Sequence, residues 1–314
     1  MGRLSASDVV TEEARAGGFS WTALLVSLRP GQWTKNLLVF AALIFGQKLF
    51  SPVAVGRALA VFLMFCALSG AVYLINDVSD RDADRRHPLK SRRPIASGRL
   101  SAQAAVGWAV ALSIGAIAAA AWLRPALAVV ALGYLLLHAL YTRALKHLVI
   151  LDVLAIAIGF VLRAVAGGVA IAVPISDWLL VCTILLALFL ALGKRRAEIT
   201  LLADSATGHR RILEEYSPYL LDQMIGVVTA STLVAYMIYC LSPETTQHFA
   251  THWLVLTVPF PIYGIFRYLY LVHQKEGGGS PSDMLQNDRP LLACVALWAL
   301  SVAAIIYGTS LLNG

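Results

Sequence analysis

The sequence predicts an all-α integral membrane protein, and two observations support this prediction. Hydrophobic residues make up 59% of the 314 residues, charged residues make up only 14%, and the mean hydropathy is +0.73. Apolar runs of about 20 residues, long enough to cross a bilayer, recur from one end of the chain to the other. A soluble domain of this size needs more polar surface, so the composition excludes that class.

Nine of these runs are predicted to be transmembrane helices. The first is the weakest, because Gly46 interrupts it and Gln47 and Lys48 end it. Residues 1–33 are expected to form a cytoplasmic N-terminal segment without a cleavable signal peptide, since they are polar and lack a short apolar core. Residues 34–314 then form a single transmembrane domain. In chain order the predicted spans are 34–50, 53–75, 102–122, 125–141, 149–173, 176–192, 219–241, 253–272 and 290–312.

Basic residues are concentrated on one side of the predicted spans. Residues 81–99, between the second and third spans, contain seven Lys and Arg residues, whereas the opposite side has only Lys48, Arg57 and Arg124. The positive-inside rule therefore places the N-terminus in the cytoplasm, and an odd number of spans places the C-terminus outside. We expect a multi-pass protein of the plasma (inner) cell membrane.

A cluster of acids at the end of the second span is the most informative motif. On a continuous helix, Asn76, Asp77, Asp80 and Asp84 lie within an arc of roughly 100°, while Asp82 points the other way. Neighbouring carboxylates repel one another unless a cation holds them, and oxygen ligands suit Mg²⁺. The alternative is a solvated acidic helix end that pairs with neighbouring arginines.

Cations follow the acids on the same side of the membrane. Lys90, Arg92 and Arg93, with Ser97 and the backbone of Gly98, could bind a phosphate group through charge-assisted hydrogen bonds. The alternative is a juxtamembrane loop that only orients the protein. Other residues at cytoplasmic span ends extend the pattern, which implies a substrate with more than one phosphate. They are Lys35, Tyr141, Lys146, Lys194 and Arg195.

Arg163 lies much deeper, eleven positions after Asp152 in the fifth predicted span. An arginine near mid-bilayer is costly unless it faces a polar cavity or a partner, so it is a candidate site residue. Alternatively, it bonds to carbonyls of a neighbouring helix. Gly159, Gly167 and Gly168 in the same span would let another helix approach closely.

Two other features argue against a metal site built on cysteines and against a nucleic-acid-binding module. The four cysteines all lie inside predicted spans and are expected to be small buried residues, because they lack metal-ligand spacing. The basic residues are spread over several loops, which is not the pattern of a nucleic-acid-binding module. Small-residue helix faces are compatible with a homo-oligomer in the lipid bilayer.

Together these residues resemble the UbiA prenyltransferase superfamily of intramembrane enzymes, and within it the decaprenyl-phosphate phosphoribosyltransferases. The acidic cluster looks like the first Asp-rich motif of the superfamily, and the likeness runs through almost the whole chain. The matching segments begin at Arg29-Pro30, Asn76-Asp77, His87-Pro88, Leu145-Lys146, Arg163-Ala164 and Gly193-Lys194.

The resemblance implies a UbiA-like bundle of nine helices with a chamber facing the cytoplasm. It also implies transfer of 5-phosphoribose from phosphoribosyl diphosphate to a polyprenyl phosphate, with Mg²⁺ as cofactor and release of diphosphate. The product would be a precursor of the arabinofuranose donor for cell-envelope arabinan. Single-step displacement would invert the anomeric centre from α to β.

The sequence departs from the superfamily pattern at one place. Ordinary prenyltransferases of the superfamily have a second Asp-rich motif at the end of the sixth span, whereas this chain has Gly193-Lys194-Arg195-Arg196-Ala197-Glu198. Basic residues replace most of the acids. This favours a donor with more phosphate, such as phosphoribosyl diphosphate, over a prenyl diphosphate.

The resemblance assigns a role to each candidate residue. The expected metal ligands are Asn76, Asp77, Asp80 and Asp84, and the expected catalytic residues are Asp77, Asp80, Asp84 and Lys35. The expected substrate-binding residues are Lys35, Lys90, Arg93, Tyr141, Lys146, Arg163, Lys194 and Arg195. Two alternatives stay open: a prenyltransferase that acts on an aromatic acceptor, and a non-catalytic lipid-phosphate carrier.

Overall fold

The structure is a computed structural model that describes residues 20–87, 90–203, 215–274 and 281–312. Residues 1–19 of the predicted N-terminal segment, and Pro88 of the basic loop, lie outside these ranges. The described residues contain helices and no strand. The prediction of an all-α fold is therefore confirmed.

Eight helices in the described ranges are long and apolar enough to cross a membrane. The long helices are α3 (Pro52–Ser79), α5 (Ala102–Leu123), α6 (Pro125–Arg143), α7 (Leu151–Ile171), α8 (Asp177–Ala203), α9 (Pro218–Leu241), α11 (Pro259–Gln274, preceded by a 3-10 turn at Trp253–Thr257) and α13 (Arg289–Leu312). These eight match the second to ninth predicted spans. Shorter helices are α1 (Trp21–Ser27), α2 (Ala41–Phe45), α4 (Arg81–Arg86), α10 (Pro243–Phe249) and α12 (Pro281–Asn287).

The prediction of nine spanning helices is wrong for the described residues, because the first segment is not a long α-helix. It consists of a 3-10 helix at Pro30–Phe40 followed by the five residues of α2. Gly46 ends α2, and Gln47 adopts a left-handed φ of 53°. Hydropathy measures how apolar a run is and does not report whether one helix continues through it.

The first segment nevertheless contacts α12 at one end and α13 at the other. At one end Gln286 donates a hydrogen bond to the Gly31 carbonyl (3.1 Å), and at the other Tyr307 donates to the Leu43 carbonyl (2.8 Å). Arg29, at the start of the segment, contacts Asp77 at the end of α3. The start of α13 therefore lies at the acidic end of the bundle, and α13 runs away from it.

Helices α3 and α7 form the centre of the bundle, and more than half of the residues in the apolar stretch of each are buried inside the protein. Helix α7 contributes Ala166 to one apolar core shared with α3 and α6, and Val153 to another shared with α8, α9 and α11. None of the four cysteines forms a disulfide, and Cys66, Cys240 and Cys294 are buried. The central helices are those that contain the acidic motif and Arg163.

Glycine lets α7 approach the 3-10 helix at Pro30–Phe40. A Cβ atom at Gly167 would lie 2.2 Å from the Val39 carbonyl oxygen, and one at Gly168 would lie 2.4 Å from a side-chain carbon of Ile175. The contact at Gly167 confirms that this glycine permits close packing, whereas Gly168 makes room for the residues that follow α7.

Replacing Gly167 with Ala should therefore destabilise the protein, by about 1–3 kcal/mol as is typical of overpacked sites. Gly226→Ala in α9 is the matched control, because nothing lies within 4 Å of a Cβ at that position. Thermal unfolding in detergent measures both. Equal midpoints for the two variants would contradict the close approach.

Candidate active site

The acidic motif lies where α3 gives way to α4. Helix α3 ends at Asp80, whose φ of −95° and ψ of 5° are not helical, and α4 starts at Arg81. Asp77 and Asp84 are buried, with only 3% and 4% of their surface exposed, whereas the side chain of Asp82 is 74% exposed. The expected separation of Asp82 from the other acids is confirmed, although the helix is not continuous.

Two arginines neutralise the two buried carboxylates. Arg29 Nη2 lies 2.5 Å from Asp77 Oδ1, and Arg93 Nη1 lies 3.1 Å from the same oxygen. The same Arg93 nitrogen also lies 2.7 Å from Asp84 Oδ2, so it bridges two acids that are seven residues apart. The guanidinium of Arg29 stacks over the Tyr73 ring at 4.7 Å.

The end of α6 completes the cluster on its other side. Lys146, in a 3-10 turn at Leu145–His147, places Nζ 2.9 Å from Asp80 Oδ1. Thr142 donates a hydrogen bond to the side-chain oxygen of Asn76. Each of the four predicted metal ligands therefore has a partner from another part of the chain.

The pairing with basic residues matches one part of the alternative interpretation, but the burial of Asp77 and Asp84 contradicts its other part, a solvated helix end. Within the described ranges, no three His, Cys, Asp or Glu side chains are grouped so that they could hold a metal ion. The four side chains still offer only carboxylate and amide oxygens, the donors that Mg²⁺ prefers. Their role as metal ligands stays a prediction that requires the cations to move.

A second buried cluster surrounds Arg195 on α8. Its Nε lies 2.8 Å from Asp152 Oδ2 and its Nη1 lies 2.5 Å from Glu198 Oε2, while Nη2 donates to the Tyr141 hydroxyl at 3.4 Å. Arg195 is 2% exposed and Asp152 is completely buried. Two carboxylates thus compensate the charge of Arg195, and Lys194 also lies 3.6 Å from Glu198.

Tyr216 fixes the other oxygen of Asp152. Its hydroxyl donates to Asp152 Oδ1 at 2.8 Å and accepts from the Ile150 N–H at 2.7 Å. Burial raises the pKa of Tyr216 to about 12, so the hydroxyl keeps its proton and remains a donor at neutral pH. Both oxygens of Asp152 are therefore satisfied inside the bundle.

Arg163 is buried in the centre, apart from both acidic clusters. It donates to Asn36 Oδ1 (2.8 Å), to the Gly159 carbonyl (2.7 Å) and to the Tyr134 hydroxyl (2.7 Å). Lys35, one residue before Asn36, makes no ion pair within 4 Å among the described residues. The structure therefore brings Arg163 close to the first segment.

The structure places all of the predicted site residues except Lys90 in three groups. Arg93 and Lys146 pair with the acidic motif, Tyr141 and Lys194 lie beside the Arg195 cluster, and Lys35 accompanies Arg163. Lys90 is half-buried, and its backbone N–H donates to His87 Nδ1 at 3.3 Å.

Sequence reasoning missed several residues that complete these groups. Arg29 had been noted only as part of a motif, and Thr142, Tyr216 and Asn36 had no predicted role in a site. The periodicity of an apolar run does not reveal such partners, because 48 positions separate Arg29 from Asp77 and 64 separate Tyr216 from Asp152.

Comparisons with known proteins identify the relatives of this chain. The sequence profile described as the UbiA prenyltransferase family matches residues 36–287. The chain is similar to the decaprenyl-phosphate phosphoribosyltransferase of Mycolicibacterium smegmatis, with 34% identity over 91% of this chain and 93% of the relative. The corresponding enzyme of Corynebacterium glutamicum is 36% identical over 90% of this chain and 86% of the relative.

A solved structure shares the fold. The UbiA homolog from Archaeoglobus fulgidus bound to DMAPP and Mg²⁺ superposes with a TM-score of 0.70 and 20% identity, covering 91% of this chain and 99% of the other. At that identity the likeness supports the architecture alone.

Removing Asp152 should destabilise the protein strongly, because it leaves the buried Arg195 with only one carboxylate. Breaking a buried ion pair in this way typically costs about 3–5 kcal/mol. Asp152→Ala should therefore lower the thermal midpoint far more than Asp82→Ala, which removes an exposed carboxylate. Similar midpoints would show that Asp152 does not hold α7 against α8.

Proposed function

This chain belongs to the UbiA prenyltransferase family, and we propose that it transfers 5-phosphoribose from phosphoribosyl diphosphate to decaprenyl phosphate. The observation that carries the proposal is the agreement of relatives at 34–36% identity over about nine-tenths of the chain, each named as a decaprenyl-phosphate phosphoribosyltransferase. Diphosphate is released and a polyprenylphosphoryl-5-phosphoribose is formed.

The Arg195 cluster supports this donor over a prenyl diphosphate. Among the described residues near the end of α8, the acids Asp152 and Glu198 already compensate Arg195 at 2.8 and 2.5 Å. They are therefore poorly placed to serve as a second set of metal ligands. Arg195 would hold Tyr141 and Glu198 in place beside the substrate-binding chamber. Lys194 would be the residue of this cluster that binds a phosphate group of the donor.

The residues of the acidic motif fit Mg²⁺, since they supply only oxygen donors. Asn76, Asp77, Asp80 and Asp84 would hold the ion, which would neutralise charge on the departing diphosphate. The basic residues that pair with this motif suggest what happens when the donor binds. Buried carboxylates need a cation beside them, so Arg29, Arg93 and Lys146 hold the acids until substrate binds.

Binding of the donor would then exchange partners. The acids would turn to the metal, and the guanidinium of Arg93 and the ammonium of Lys146 would bind phosphate oxygens. Arginine suits this exchange because its planar fork matches phosphate as well as carboxylate. The exchange keeps every charge paired before and after binding.

The chemistry itself requires positioning more than a strong base. Breaking the bond between C1 and the diphosphate oxygen spreads positive charge into the ribose ring and negative charge onto the leaving group, where Arg93 and Lys146 would stabilise it. The acceptor is a phosphate monoester with a second pKa of about 6, so it is largely ionised at neutral pH. Its oxygen can attack C1 once both substrates are aligned.

We place the acidic end of the bundle at the cytoplasmic face. Seven Lys and Arg residues between positions 81 and 99 support this orientation through the positive-inside rule. The N-terminus would then be cytoplasmic, and α13, which starts at this end, would finish on the outer side.

The primary test is product analysis by mass spectrometry with purified protein, phosphoribosyl diphosphate and decaprenyl phosphate. We expect the phosphoribosylated lipid in the presence of Mg²⁺ and none in excess EDTA. A parallel incubation with a prenyl diphosphate and an aromatic acceptor tests the prenyltransferase alternative, which the fold also permits. Prenylated product without phosphoribosylated lipid would reverse the assignment.

Asp80→Ala should reduce turnover by about 100-fold or more while the protein stays folded, because Asp80 is a proposed metal ligand and is only partly buried. Asp82→Ala, on the opposite face, is the matched control and should keep nearly full activity. Unchanged turnover in Asp80→Ala would remove this carboxylate from the mechanism.

The stereochemistry of the product reports the number of displacements. A single attack on the α donor should give the β anomer, since the acceptor enters opposite the leaving group. Coupling constants in a proton NMR spectrum of the product distinguish the two anomers. A retained α linkage would require a different mechanism.

A further inference from the structure

Arg163 is a buried cation that has hydrogen bonds but no counter-anion. Its side chain is 5% exposed, and its three acceptors, on Asn36, Gly159 and Tyr134, are all neutral. No Asp or Glu lies within 4 Å of it in the described ranges. The guanidinium lies 4.9 Å from the centre of the Tyr134 ring and 5.3 Å from that of the Phe160 ring, but neither ring has a formal charge. A buried charge without a counter-ion is expensive, and a guanidinium has five N–H donors, of which these bonds use three.

A second cation lies near Arg163 and is also without an ion pair. Lys35 directly precedes Asn36, whose side-chain oxygen accepts a hydrogen bond from Arg163 Nε at 2.8 Å, so the two cations lie on neighbouring parts of the bundle. Lys35 makes no ion pair within 4 Å among the described residues. Like charges in a buried setting are relieved by an anion.

A third group points to the same place. His138 Nε2 is buried and has no hydrogen-bond partner within the described residues. A Cβ atom built on Gly159 would lie 3.4 Å from this nitrogen and 3.5 Å from Arg163 Nη1. Both nitrogens therefore lie next to Gly159, which has no side chain to cover them. A proton on Nε2 would make His138 a hydrogen-bond donor to an anion.

Arg163 and His138 lie deeper than the acidic motif. Thr142 donates hydrogen bonds to the side-chain oxygen of Asn76 and to the carbonyl of His138, which lies one helical turn earlier in α6. At 1.5 Å per residue, His138 is about 6 Å and Tyr134 about 12 Å farther into the bundle than Thr142. His138, and Arg163 through its bond to Tyr134, are thus separated from the cations that pair with Asp77, Asp80 and Asp84.

We propose that Arg163, Lys35 and His138 form a subsite for the phosphate of a phosphate monoester, below the diphosphate-binding end of the chamber. The inference rests on the proposed function, in which two such groups are available: the phosphate of the lipid acceptor and the 5-phosphate of the donor. The subsite supplies the anion that the buried guanidinium lacks.

The test compares Michaelis constants for the two substrates in matched variants. Arg163→Met removes the buried charge, and Arg57→Met removes an exposed one from α3 as its control. Gly159→Ala covers the two facing nitrogens with a methyl group at ordinary contact distance, and Gly226→Ala is its control. Affinity for farnesyl phosphate, measured by isothermal titration calorimetry, gives a readout that does not depend on turnover.

We expect Arg163→Met to raise one KM by about 10- to 100-fold, the range for losing charge-assisted hydrogen bonds, and Gly159→Ala to raise the same KM several-fold. A raised KM for the lipid with weaker farnesyl phosphate binding assigns the subsite to the acceptor. A raised KM for phosphoribosyl diphosphate alone assigns it to the 5-phosphate. Arg163→Lys, which keeps the charge, should recover part of the loss.

Two other results have distinct meanings. If the wild-type protein makes no phosphoribosylated lipid but binds farnesyl phosphate in a manner that Arg163→Met weakens, the proposed function fails and the subsite stands. If folded Gly159→Ala keeps both KM values and the farnesyl phosphate affinity within about twofold of wild type, the subsite is wrong, even where Arg163→Met does not fold.

Discussion

The structure depends on the need of every buried charge for a partner. Asp77 and Asp84 are almost fully buried, and Arg29 and Arg93 reach them from separate segments. In water such pairs contribute little, but an unpaired carboxylate in this setting would be strongly destabilising. The pairing therefore fixes where the first segment and the basic loop meet α3. It also brings carboxylate oxygens and cationic side chains together in one place.

The same constraint acts at the Arg195 cluster with a different outcome. There Asp152 from α7 and Glu198 from α8 enclose one guanidinium, and Tyr216 occupies the remaining oxygen of Asp152. The acids of the motif pair with basic residues that are partly exposed, whereas Arg195 and Asp152 pair with one another inside the bundle. Arg163 differs from both, because its partners are neutral.

The sequence predicted the membrane class, eight of the spans and the separation of Asp82 from its neighbours, because these follow from hydropathy and local helical periodicity. It did not predict the 3-10 helix at Pro30–Phe40, since hydropathy is insensitive to helix type. The sequence also did not predict which residues pair with Arg195 and Asp77. They depend on how distant segments pack, and a pattern within one segment contains no information on that packing. The cationic segment at Gly193–Glu198 was visible, but its internal neutralisation by Asp152 was not.

The contact between the first segment and α13 has a consequence for biosynthesis. Tyr307 donates to the Leu43 carbonyl and accepts from the Leu49 N–H, so one hydroxyl near the end of the chain satisfies two backbone groups made more than 250 residues earlier. Backbone groups within a bilayer need internal partners. The first segment therefore reaches its final hydrogen bonding only after α13 has been synthesised and inserted.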